Sequence, residues 1–139
     1  MVPAGYSSTP LVRKLGIKAG DRLALIGAPK AWIVPDLPPG VVVSRRRDTS
    51  AADVVVAFFP ELATLQGDVP GLAARIAPDG ALWTAWPRRA GGHRSDITDN
   101  EIRAASLPLG LVDVKVAALD EDWSGIKLVW RKELRSRFR

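Results

Sequence analysis

Short, continuously apolar runs, each cut off by glycine or proline, constrain this chain more than any other feature. They are Arg22-Leu23-Ala24-Leu25-Ile26-Gly27, Val41-Val42-Val43, Asp53-Val54-Val55-Val56-Ala57-Phe58-Phe59 before Pro60, and Ala81-Leu82-Trp83-Thr84-Ala85-Trp86 before Pro87. A strand with one wet face alternates apolar and polar residues, whereas a strand buried on both faces reads as an unbroken apolar run, the habit of parallel sheets. The runs therefore predict strands of a parallel sheet that is covered on both sides.

The segments between them supply the covers. Thr9-Pro10 ahead of Leu11 to Gly16 reads as a short helix, with Thr9 as cap, Pro10 at the first helical position and Gly16 at the stop. Ala28 to Gly40 holds Pro29, Pro35, Pro38 and Pro39, which leaves no room for a full crossover helix. Glu61 to Ile76 is helical material interrupted near Gly67 to Pro70, and Pro78-Asp79-Gly80 is a turn into the fourth strand. Asp96 or Thr98 caps a helix to about Leu107, with Glu101 completing a capping box after Thr98 and Gly110 closing the segment. Val112 to Leu119 alternates valines with Asp113 and Lys115, then Asp120 to Gly125 turns the chain into Ile126 to Arg131, an antiparallel hairpin. The expected fold is α/β and Rossmann-like: a mostly parallel sheet of about six strands ending in a reversed hairpin, with helices on both faces. Residues 1–132 form the expected single domain, and 133–139 a basic tail that frays or docks elsewhere.

A chain of 139 residues, 47% hydrophobic, can bury one core without staples. It has no cysteine, which excludes disulfides, thiolate nucleophiles and cysteine-based metal centres. Neither Met1 to Ser8 nor any apolar run has the length of a signal core or a membrane span, so the expected location is the cytoplasm. The formal charge is +5, and its cations crowd into the first third and the last residues. Such asymmetry suits a polyanionic partner, although an ordinary solvated surface can carry it too.

Ligands of open parallel sheets bind outside the carboxyl ends of the strands. Here the first strand exits toward Gly27 and Lys30, the second into Arg45, Arg46 and Arg47, and the fourth into Arg88, Arg89, His93 and Arg94. Guanidinium forks beside Gly91-Gly92 would suit phosphate or another polyanion; a solvated loop rim is the alternative. His93 is the only histidine, so a His-based metal site is excluded and a catalytic triad would depend on this loop. Asp120, Glu121 and Asp122 form an acidic turn that would take either a divalent cation or simply water. Trp83 and Trp86 fall on opposite faces of their strand and Trp130 lies with Ile126 and Leu128, all as core. Trp32, in the proline-rich connection, either anchors that connection or covers a ligand.

Gly5 to Arg22 and Asp79 to Pro87, together with Gly110 to Val116 and Trp123 to Val129, resemble a family of short bacterial proteins known only as a domain of unknown function. The order of elements more distantly resembles class I S-adenosylmethionine-dependent methyltransferases. That resemblance implies a glycine-rich turn after the first strand that approaches the cofactor, and an acid after the second strand that binds its ribose. In this sequence Gly27 stands alone before Ala28-Pro29-Lys30, and the second strand ends in Ser44 and three arginines. The expectation is therefore a non-catalytic or degenerate methyltransferase-like domain with no cofactor, binding a nucleotide, nucleic acid or other phosphate through Gly27, Lys30, Arg45, Arg46, Arg88, Arg89, His93 and Arg94. The rivals are a small S-adenosylmethionine- or nucleotide-dependent enzyme, and an interaction module that pairs with another protein or a second copy of itself. No membrane partner is expected.

Overall fold

A computed structural model describes residues 9–136 of the chain. Gly5 to Ser8 of the family-like stretch, and residues 137–139 of the expected tail, lie outside the described residues. The elements are α1 (Leu11–Leu15), β1 (Arg22–Ile26), β2 (Val42–Ser44), β3 (Ala52–Phe58), α2 (Leu62–Arg75), β4 (Ile76–Pro87), α3 (Asp99–Ser106), β5 (Leu111–Ala118), β6 (Trp123–Trp130) and α4 (Lys132–Arg135). The strands make a six-stranded sheet in the order β2-β1-β3-β4-β6-β5. β2, β1, β3 and β4 run parallel, while β6 is antiparallel to both β4 and β5. This is the expected Rossmann-like architecture with its reversed hairpin.

Alternation along the central strands divides the interior into two cores. Ala24, Ile26, Val55, Ala57, Leu82, Ile126, Leu128 and Trp130 face α2 and α3, which contribute Leu65, Val69, Leu72 and Ile102. Leu23, Leu25, Val54, Val56, Phe58 and Trp83 face the other way, under Leu15 of α1 and under Ile17, Trp32 and Val34 from irregular backbone. The second face thus gets its cover from connections rather than from long helices. No helix forms between β1 and β2, as four prolines require.

Several boundaries differ from the sequence reading for identifiable reasons. The helix expected to break near Gly67 to Pro70 runs unbroken from Leu62 to Arg75, with Pro70 inside it. Pro70 and Gln66 are both exposed, so the carbonyl that loses its partner remains wet, while Leu65, Val69 and Leu72 pin the other side to the core. Pro78-Asp79-Gly80 is not a separate turn but a bulge inside β4: Ile76 pairs with Ala52, yet Ala81 pairs with Val54. Gly80 is obligatory there, since a Cβ would lie 2.5 Å from the Asp53 carbonyl oxygen. The capping box forms on Thr98 and Glu101. Asp96 caps a different helix, its Oδ1 accepting the Leu62 N–H of α2 at 2.9 Å. Of the expected tail, the described residues dock: Leu134 of α4 packs on the core and Arg135 donates to the Trp130 carbonyl at 3.0 Å.

Candidate functional site at the carboxyl edge

The parallel strands β1, β3 and β4 end side by side, and three local structures fill the space beyond them. At β1, Gly27 adopts φ +69° and a Cβ there would lie 3.0 Å from the Phe58 carbonyl oxygen, so glycine is what lets β1 exit across β3. The nearest side-chain atom to that point is Nη2 of Arg47, at 3.5 Å. Arg47 is anchored to α2 by an ion pair with Asp68 at 3.0 Å.

The second structure is the plug made by the β1–β2 connection. Trp32 is only 9% exposed. Its ring meets Phe58 edge-on at 4.8 Å, and Phe58 meets Trp123 edge-on at 5.0 Å. The indole N–H donates to Asp120 Oδ2 at 2.9 Å, while Asp120 Oδ1 accepts the main-chain N–H groups of Asp122 and Trp123. Arg45 donates to the carbonyl of Trp32 and, at 3.5 Å, to that of Pro29. Trp32 is therefore a core anchor, and Arg45 is the strap that holds its connection.

The third structure joins the end of β4 to the β5–β6 turn. Arg88 is 5% exposed; its N–H donates to the Asp122 carbonyl at 2.8 Å and its side chain to the Glu121 carbonyl at 3.5 Å. Gly91 packs so closely on the Glu121 carbonyl that no Cβ fits. His93 Nε2 lies 2.9 Å from Asp122 Oδ1, with both side chains well exposed. In the acidic turn Asp120 and Asp122 make these contacts through their carboxylates and Glu121 through its carbonyl, and among the described residues no cluster of three or more acids or histidines could hold a metal ion.

The structure does not bring the eight residues singled out in the sequence into one cavity lining. Arg88 and Arg89 border an open cavity of about 500 Å³ with Trp86, Ile97, Val116 and Ser124. Gly27, Lys30, Arg45 and Arg46 do not line it. Arg45 and Arg88 are committed to carbonyl oxygens. The side chains of Lys30, Arg46, Arg89 and Arg94 are exposed and form no hydrogen bond or ion pair among the described residues. Sequence reasoning missed Arg75, whose buried guanidinium gathers the β2–β3 loop: Nε to the Ser50 carbonyl at 2.8 Å, Nη1 to the Arg46 carbonyl at 3.1 Å, and Nη2 to Asp48 Oδ1 at 3.3 Å. Its position three residues after Leu72, on the buried stripe of α2, was the available signal.

The fold is Rossmann-like, and solved class I S-adenosylmethionine-dependent methyltransferases share it. The chain superposes on TrmN from Thermus thermophilus with a TM-score of 0.64 and 14% identity, over 87% of this chain and 47% of that one. It therefore spans about half of TrmN. The fibrillarin pre-rRNA processing protein of Methanococcus jannaschii matches with a TM-score of 0.59 and 11% identity, over 92% of this chain and 76% of that one. A methyltransferase from Aquifex aeolicus gives 0.57 and 11%, over 85% and 86%. No protein-family model matches the chain, and no curated protein matches it by sequence. Likeness at such identity shows the fold alone. No helix among the described residues is long and apolar enough to cross a membrane.

The residues present do not fit S-adenosylmethionine. Where the resemblance implies a glycine-rich turn there is one glycine, needed to clear the Phe58 carbonyl, with the ion-paired Arg47 guanidinium close beside it. Where it implies a ribose-binding acid, the chain has Ser44 and Arg45. Trp32 is buried edge-on against Phe58 at the end of β3, and no helix follows β1 to face an anionic group.

Proposed function

We propose that this domain uses a methyltransferase fold without methyltransferase chemistry and binds an anionic partner along the carboxyl edge of its sheet, working in the cytoplasm. The observation that carries this reading is the division of the edge. Trp32 packs against the end of β3, whereas the side chains of Lys30, Arg46, Arg89 and Arg94 are exposed and form no salt bridge among the described residues. Arg88, buried against the hairpin turn, fixes the loop from which Arg89 and Arg94 project. Beside Arg89, Trp86 and Val116 offer an apolar wall for a base or ring, and the glycines at 91 and 92 keep the loop low.

The test is titration of fluorescent single-stranded RNA, duplex DNA and nucleotides at two salt concentrations. Binding to duplex DNA is expected to weaken with salt at a slope of roughly 0.9 per phosphate contact, and loss of Arg89 to lower that slope by about 1. Absence of binding by every probe at low salt removes the proposal.

A second reading has its own observation. Among the described residues both edge strands carry exposed valines: Val42 and Val43 on β2 are 65% and 42% exposed, and Val114 and Val116 on β5 are 55% and 50% exposed. Such edges pair readily with another strand. A concentration-dependent dimer in sedimentation, abolished by Val42→Lys or Val114→Lys, would establish a self-associating module; a monomer at all concentrations would dismiss it.

A further inference from the structure

The opposite, amino edge of the sheet holds a second cavity, of about 430 Å³, and it is more polar than the first. Lys127 of β6 reaches into it, half-buried, with Nζ 3.7 Å from the point where a Cβ on Gly16 would stand. Its cross-strand neighbour in register is Lys115 of β5, whose ammonium lies 5.6 Å from the centre of the Trp83 ring. Lys18, in the turn after α1, lines the same cavity. None of these three ammonium groups makes a hydrogen bond or ion pair among the described residues.

Like charges facing each other across a strand pair destabilise it, and a half-buried ammonium with three idle donors adds to the cost. Asp53 and Asp21 do not relieve it. Asp53 is engaged by Arg22, which donates three hydrogen bonds to it from main chain and side chain. Asp21 accepts the main-chain N–H of Lys18 at 2.9 Å. Asp79, on the β4 bulge, also lines the cavity. Accordingly Lys127 is held below the usual lysine range by burial first, then by Lys115 and Lys18, with no carboxylate acting to raise it.

An assembly of ammonium groups that the fold pays to keep together is explained by an anion that completes it, and the nearby carboxylates restrict which anion fits. They would repel a bare phosphate but accept hydrogen bonds from hydroxyl groups attached to it. We propose that this cavity is a binding site for a small phosphorylated polyhydroxyl compound, its phosphate held by Lys127 and Lys18 under the field of Lys115, and its hydroxyls donating to Asp21. The volume suits a ligand of that size. This site lies at the other edge of the sheet from Arg89 and stands independently of the rim.

The experiment follows the lysine side-chain Cε resonances and the melting temperature of the full chain at fixed ionic strength. Probes are glucose 6-phosphate, inorganic phosphate and glucose, each at millimolar concentration. Glucose 6-phosphate is expected to raise both the melting temperature and the pKa of Lys127, and to bind about tenfold more tightly than phosphate, some 1.4 kcal/mol. Lys127→Met, which removes a repelled charge and so folds at least as well, is expected to abolish the shift; Arg89→Gln is expected to leave it intact. An unmoved Lys127 resonance, an equal melting shift in Lys127→Met, or equal affinity for glucose 6-phosphate and phosphate overturns the assignment.

Discussion

Replacing Trp32 by alanine separates a plug from a lid. In the structure the indole is 9% exposed, stacks edge-on against Phe58 and donates to Asp120. Truncating a buried tryptophan costs about 3–5 kcal/mol through lost transfer free energy and the cavity left behind. The broken hydrogen bond adds little, because Asp120 is part-exposed and keeps two main-chain donors on its other oxygen. The expected loss is about 4 kcal/mol, a large share of the roughly 5–15 kcal/mol that holds a domain together. Urea unfolding followed by tryptophan fluorescence and circular dichroism would show it as a lower midpoint with an unchanged slope. Trp32→Phe keeps an aromatic edge against Phe58 and is expected to lose about half as much. A loss below about 1 kcal/mol for the alanine variant would mean that Trp32 is not part of the core, and the argument for a self-filled crevice would fall.

Other consequences can be measured on the same footing. Asp96→Ala removes the acceptor for the first N–H of α2 and is expected to cost about 1 kcal/mol in urea unfolding, although Asp96 lies far from that helix in sequence. The Arg22 side chain beside Asp53 holds that carboxyl below its ordinary value, against an opposing contribution from burial. A group with a lowered folded pKa stabilises above its unfolded value of about 3.9, and this contribution disappears as pH falls through the folded pKa. Asp53→Asn is therefore expected to cost about 1 kcal/mol or less at neutral pH, given the exposure of Arg22, and to flatten the acid limb of the stability profile. Gly110→Ala combines a φ of +100° with a Cβ that would press on the Leu134 side chain; the expected result is a loss of about 1–3 kcal/mol, partly recovered by Leu134→Ala.

β1, β3 and β4 were legible because their apolar runs are buried whichever way the side chains point, so that reading did not depend on register; the Val41 to Val43 run, expected to be covered on both sides, instead leaves Val42 and Val43 exposed on the edge strand. The absence of a crossover helix followed from the prolines at 29, 35, 38 and 39, and the capping box from Thr98 and Glu101. Tertiary contacts overrode local signals elsewhere. Pro70 is tolerated because the interruption faces water, and the Pro78-Asp79-Gly80 turn becomes a bulge because Ile76 already pairs with Ala52. The site was less legible for a related reason. Composition shows how many cations follow the strands, but not which guanidinium finds a carbonyl oxygen: Arg45 turns inward and Arg46 does not. The lysines of the amino edge were invisible until the hairpin register was known, since Val114 is the extra bulge residue that brings Lys115 opposite Lys127.

Calorimetric titration of the full chain with S-adenosylmethionine probes the occupied crevice most directly. The packing of Trp32 on Phe58 and the Arg47 guanidinium at Gly27 lead to no saturable heat up to millimolar ligand. Saturation in the micromolar range would contradict the account and restore a cofactor-dependent enzyme in its place.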